Sequence, residues 1–149
     1  MAEITVTFPG GKRVDAQVGN HHISTDQPRA AGGDDSAPAP FSLFLASIGT
    51  CAGIYVLGFC QARGIDPTGI TLTQRSVVDR ETGVLRAVEI DVHVPDGFPA
   101  QYRDALVRVA SKCAVKKAIA AQPEFRIAVT PSEHGGLSSA GPHDARPSH

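Results

Sequence analysis

The chain of 149 residues is 42% hydrophobic and 19% charged, the size of one globular domain with a core of its own. A formal net charge of -1 supplies no basic surface for nucleic acid or an anionic membrane. The opening MAEITVTFPGGK lacks a basic region followed by an apolar run, so no secretion signal is expected and the cytoplasm is the expected compartment. There three cysteines stay reduced, as buried or reactive thiols rather than a disulfide framework.

Residues 3–8 alternate as a strand with Ile4, Val6 and Phe8 on one face, and Pro9, Gly10 and Gly11 turn the chain into a second strand over 12–18. Residues 22–25 add a short third strand. The stretch 26–40, DQPRAAGGDDSAPAP, is rich in turn formers and almost without large apolar residues, so it predicts an ordered or semi-mobile loop.

Residues 41–60, FSLFLASIGTCAGIYVLGFC, carry no charge. As a helix they rise roughly 30 Å, enough to cross a bilayer. Three glycines and several hydroxyls dilute the hydrophobicity, and the flanks lack the lysine and arginine asymmetry that sets orientation. The segment therefore reads as a buried core helix, starting near Pro40 or Ser42 and capped by Gly64. It is apolar all round, which calls for cover from a partner subunit. Phe44, Ile48, Cys51, Tyr55 and Phe59 share one stripe. Gly49 and Gly53 flank Cys51, each at a cost of about 1 kcal/mol against alanine, which predicts a close approach by another backbone or a substrate.

Residues 69–80 and 85–94 predict a second hairpin, with Val88, Ile90, Val92 and Val94 on one face and Glu89, Asp91 and His93 on the other. Residues 99–121 predict one amphipathic helix whose apolar side includes Tyr102, Leu106, Val109, Cys113 and Ala120. A last short strand is expected over 125–129, and a disordered tail over 131–149.

Cys51 and Cys60 are nine residues apart on one helix, about 900° of rotation and roughly 13 Å of rise, so they cannot bond while the helix is intact. Cys51 and Cys113 lie on core-facing stripes of different helices and can meet. Two small buried hydrophobes would satisfy the same pattern.

Pro40, Leu43, Leu45, Ala46, Gly49 and Cys51, followed by Ala110, Cys113 and Val115, resemble the paired cysteine helices of the OsmC/Ohr superfamily. The run from Asp26, Gln27 and Pro28 through Gly33 to Pro40 resembles the lead-in of its general OsmC-like branch. The similarity spans about three quarters of the chain, from near Val18 to near Val129. It implies an α+β fold over residues 1–130, with antiparallel sheets wrapping central cysteine-bearing helices in an intertwined homodimer.

The resemblance further implies reduction of organic hydroperoxides, with Cys51 as the attacking thiolate, Cys113 as the resolving thiol and a dithiol as reductant. No cofactor and no metal is expected. The characterised peroxidases of the family carry a glutamate ten residues before the first cysteine, paired with a thiol-activating arginine from the N-terminal strands. This chain has Phe41 there. Arg29, Arg13, His21 and His22 are then the candidate sources of positive charge. A second reading keeps the fold without efficient catalysis, as a binder of a small apolar ligand or partner.

Other polar and sulfur-bearing residues have plainer readings. Cys60 is expected to be structural core. Lys112, Lys116 and Lys117 surround Cys113 as a solvated basic face. No C-x-x-C or H-x-x-x-H pair supports zinc bound by Cys51, Cys113 and a histidine. His134, His143 and His149 fall in the expected tail.

Overall fold

A computed structural model describes residues 3–131. The tail expected to be disordered, with His134, His143 and His149, lies outside the described residues apart from Pro131. The chain opens with β1 (Ile4–Gly10), β2 (Arg13–Val18) and β3 (His21–Ile23), an antiparallel sheet in which Val6 pairs with Ala16 and Ala16 with Ile23. Gly10 and Gly11 take positive φ in the first turn. Ile4, Val6 and Phe8 share a face as expected, but that face is exposed in the single chain.

The loop that follows is ordered around a buried carboxylate. Asp26, 1% exposed, accepts the Ser36 hydroxyl at 2.7 Å and the backbone N–H groups of Gln27, Ser36 and Asp34 at 2.7, 3.0 and 3.2 Å. Gly33 is packed so closely here that a Cβ on it would lie 2.0 Å from the Gln27 carbonyl oxygen.

The central helix, α1 (Pro40–Ala62), begins on proline, whose missing N–H costs nothing in the first turn. It ends in a Schellman motif: Gly64 at φ +63° donates to the Gln61 carbonyl at 3.3 Å, and Ile65 donates to Cys60 at 2.9 Å. Its buried residues are Ile48, Ala52, Val56, Phe59 and Cys60. This face is rotated by part of a turn from the stripe expected, which leaves Cys51 half-buried at its edge. Only 28% of its most apolar 18-residue window is buried in the single chain.

A second sheet, β4 (Thr71–Val78) with β5 (Leu85–His93), pairs antiparallel with Gln74 opposite Ile90. On β5 the alternation holds: Val88, Ile90 and Val92 are half-buried, and Glu89, Asp91 and His93 are exposed. Val56, Phe59 and Cys60 of α1 form the core with Phe98 and Leu106, flanked by Val92, Val94 and Tyr102.

Two expectations fail. Residues 99–121 are not one helix but a 3-10 turn (Ala100–Tyr102), α2 (Arg103–Ala110) and α3 (Ala114–Ala120). Cys113 breaks them with φ -43° and ψ 124°, outside the helical region. The Ser111 hydroxyl donates back to the Val107 carbonyl at 2.9 Å, a local bond that competes with the helix ladder. Apolar spacing continues across the break and hides it from the sequence. Residues 125–129 form no strand: Phe125, Ile127 and Val129 are 86, 96 and 100% exposed, with no sheet edge beside them among the described residues.

Candidate functional site

The break between α2 and α3 builds the site. Cys113 is the N-cap of α3, and its sulfur accepts the backbone N–H of Lys116 at 3.4 Å. The same sulfur lies 3.8 Å from the Ile48 carbonyl oxygen on α1, which its S–H reaches as donor. Cys113 is 2% exposed.

Cys51 follows Ile48 by three residues and so lies on the same side of α1. The tie between Cys113 and the Ile48 carbonyl sets the start of α3 one turn of α1 from Cys51. The Val115 amide, then the Cys113 thiol, hold the Cys51 thiol below its ordinary range; burial pushes the other way and the Ala114 amide helps. Two sulfurs and the first turn of α3 therefore form one cluster. All three cysteines are free thiols.

Of the cations considered as activators, Arg13 and His22 are paired with a carboxylate in this chain. Arg13 Nη2 and His22 Nε2 stand 2.7 and 3.0 Å from the same Asp15 oxygen, Oδ2. Asp15 is 2% exposed, and burial raises its carboxyl, but the His22 bond, the Thr25 amide and Arg13 together bring it below the usual carboxylate range. His21 is exposed on β3 opposite Val18, and Arg29 is exposed in the 3-10 turn Arg29–Ala31. Within this chain the groups that lower the Cys51 thiol are the Val115 amide, the Cys113 thiol and the Ala114 amide. No residue type signals a backbone donor, so sequence reasoning missed the two amides. It also missed Asp15 and Asp26, which sit in polar surroundings that hydropathy marks as surface.

Phe41 lies exposed in the first turn of α1 with its ring stacked on Phe44, centroids 5.6 Å apart. Cys60 is fully buried in the core, and burial pushes its thiol up. At Gly49 the close neighbour is a side chain and not the expected backbone or substrate, since a Cβ there would lie 2.9 Å from Gln74 Oε1; at Gly53 a Cβ would meet nothing within 4 Å.

Beside Cys113, residues of β5, α1, α2 and α3 line an open, largely apolar cavity of about 1020 Å³, which Cys51 does not line. Ile48, Val88, Ile90, Leu106 and Cys113 form its walls, and Arg103 and Lys116 bring positive charge to it. Among the described residues no three His, Cys, Asp or Glu side chains cluster as a metal site.

Residues 33–128 match the family model described as OsmC-like protein. Among solved structures, a protein of Psychrobacter arcticus 273-4, whose name places it in osmotic stress and detoxification responses, superposes with a TM-score of 0.68 at 23% identity, covering 79% of this chain and 88% of that one. The Legionella pneumophila organic hydroperoxide resistance protein OsmC gives 0.56 at 22% identity, over 80% and 88%. An organic hydroperoxide resistance protein of Elizabethkingia anophelis gives 0.55 at 22%, over 79% and 86%. At these identities the likeness is one of fold. No curated protein matches the sequence.

Proposed function

Because the chain belongs to the OsmC-like family, we propose that it reduces organic hydroperoxides with Cys51 and Cys113. One observation carries the reading: the Cys51 sulfur is held toward its charged form by the Val115 amide and the adjoining Cys113 thiol. The Cys51 thiolate attacks the terminal peroxide oxygen, the O–O bond breaks, and the alkoxide leaves and takes a proton to become the alcohol. The resulting sulfenic acid condenses with the Cys113 thiol, losing water and forming the disulfide. A dithiol then reduces that disulfide and is itself oxidised. The names of the L. pneumophila and E. anophelis structures support the substrate class.

Stopped-flow mixing of the reduced protein with cumene hydroperoxide tests the reading. Thiol loss at Cys51 much faster than for free cysteine supports it, and a rate no faster than free cysteine ends it.

The apolar cavity of about 1020 Å³ favours a second reading, in which the fold binds a small apolar ligand without turnover. On that reading Cys51→Ser leaves ligand binding unchanged.

A further inference from the structure

The resolving role asks little of Cys113 until the sulfenic acid exists, yet its sulfur is already engaged in the reduced protein. It accepts the Lys116 N–H at 3.4 Å as the N-cap of α3 and sits within S–H reach of the Ile48 carbonyl at 3.8 Å. Cys113 has an extended ψ of 124°, so the chain turns into α3 there and presents the N–H groups of Ala114 and Val115 before they have helical acceptors. The tie to Ile48 sets those amides one turn of α1 from Cys51, whose thiol they lower. Seven residues make a helix too short to hold itself, so the cap and its packing on α1 fix where it starts.

We infer that Cys113 is also a positioning residue for the first chemical step: by capping α3 and tying it to Ile48, it holds the Val115 and Ala114 amides at Cys51. The inference rests on the peroxidase reading for its meaning, but it concerns the reduced protein before any peroxide is met. It separates two jobs that one residue type combines, since serine can cap a helix and cannot form a disulfide. Alanine and valine can do neither, and they bracket the thiol in size.

The test compares C113S, C113A and C113V in the full chain. Turnover with a dithiol is lost in all three, because none can resolve the sulfenic acid. Iodoacetamide alkylation of Cys51 as a function of pH then reads its ionisation, with Cys60 blocked by burial. C113S is expected to keep a lowered midpoint, and C113A and C113V to raise it and to slow alkylation at neutral pH by about tenfold, the effect of one pH unit. Hydrogen exchange of the α3 amides separates the cap from a direct bond between the two sulfurs. It is expected to quicken in C113A and C113V and stay slow in C113S.

Two results overturn the inference: a Cys51 midpoint that is the same in all variants, or α3 exchange unmoved in C113A and C113V. If those two variants do not fold, C113S alone still decides it, because a midpoint raised as far as that of free cysteine contradicts a capping role that serine supplies. A slow peroxide reaction in the wild type with the variant pattern intact would end the peroxidase reading and leave the positioning role standing.

Discussion

The Cys113 sulfur stands 3.8 Å from the Ile48 carbonyl oxygen, three residues before Cys51 on the same helix. That contact, with the Lys116 N–H on the same sulfur at 3.4 Å, fixes the Cys113 side chain against α1 one turn before Cys51. Cys51, facing the Val115 amide, suits the charged form. The two thiols differ in setting: amides of α3 draw the Cys51 thiol down, whereas Cys113 is bonded between the Ile48 carbonyl and the Lys116 N–H.

Selective labelling should expose this difference. With substoichiometric iodoacetamide at neutral pH, followed by peptide mass spectrometry, Cys51 should carry at least about ten times the label of Cys113 or Cys60. Because the Cys51 thiol is lowered, its labelling rate should reach its plateau at a lower pH than that of free cysteine. Equal labelling of Cys51 and Cys113 would remove the basis for assigning the roles.

Cys60 and Leu106 should separate stability from chemistry. Leu106 is 1% exposed in the core with Cys60, Phe98 and Val56. Leu106→Ala should cost about 2–5 kcal/mol in guanidinium unfolding. Cys60→Ala removes one buried sulfur and should cost less, while the rate of peroxide attack at Cys51 stays within about twofold of wild type. A large loss of that rate in Cys60→Ala would return the third cysteine to the site.

How far the sequence reaches is clearest at the two ends of the cysteine pair. Pro40, Gly64 and the uninterrupted apolar run define α1 within a residue or two, because start, stop and composition agree. Cys113 was legible as a core-facing thiol, but its place as a cap was not, since the apolar period runs through Ser111 and Lys112 as if the helix continued. Gly49 and Gly53 looked alike in sequence, and only one of them faces a neighbour, Gln74, from another element. Phe125, Ile127 and Val129 alternate as a strand should, but alternation does not provide an edge to pair with. What the sequence hides is the chain's tertiary partners, and the amides of Ala114 and Val115 that lower the Cys51 thiol are such partners.

The Asp26 clamp predicts an acid limb in stability. The Ser36 hydroxyl, then the Ser36 amide, against the opposing effect of burial, draw its carboxyl down from 3.8 to about 2. A depressed carboxyl favours the folded state when charged. Its share of stability is therefore full above about pH 4 and is lost as pH falls through about 2. Melting temperatures from pH 7 to 2 should fall across that window. Asp26→Asn should lower the melting temperature at pH 7 and flatten the acid limb. An unchanged limb in Asp26→Asn would show that other carboxylates govern it.

The uncovered apolar surface predicts a homodimer. Ile4, Val6 and Phe8 on β1 and Phe125, Ile127 and Val129 beyond α3 are exposed in one protomer, and α1 is long, uncharged and only partly covered. Surface of this kind leaves water when a second copy supplies the cover, each large side chain contributing about 1.5–3 kcal/mol. Light scattering on the full chain should give twice the 15.6 kDa of one copy. Ile127→Asp should weaken association by roughly 10 to 100 fold, the equivalent of losing one such side chain. The same substitution should leave an isolated protomer folded, because Ile127 is 96% exposed there and supports no internal contact. A wild-type mass of one chain at micromolar concentration would refute the dimer, and a dimer untouched by Ile127→Asp would move the interface away from residues 125–129.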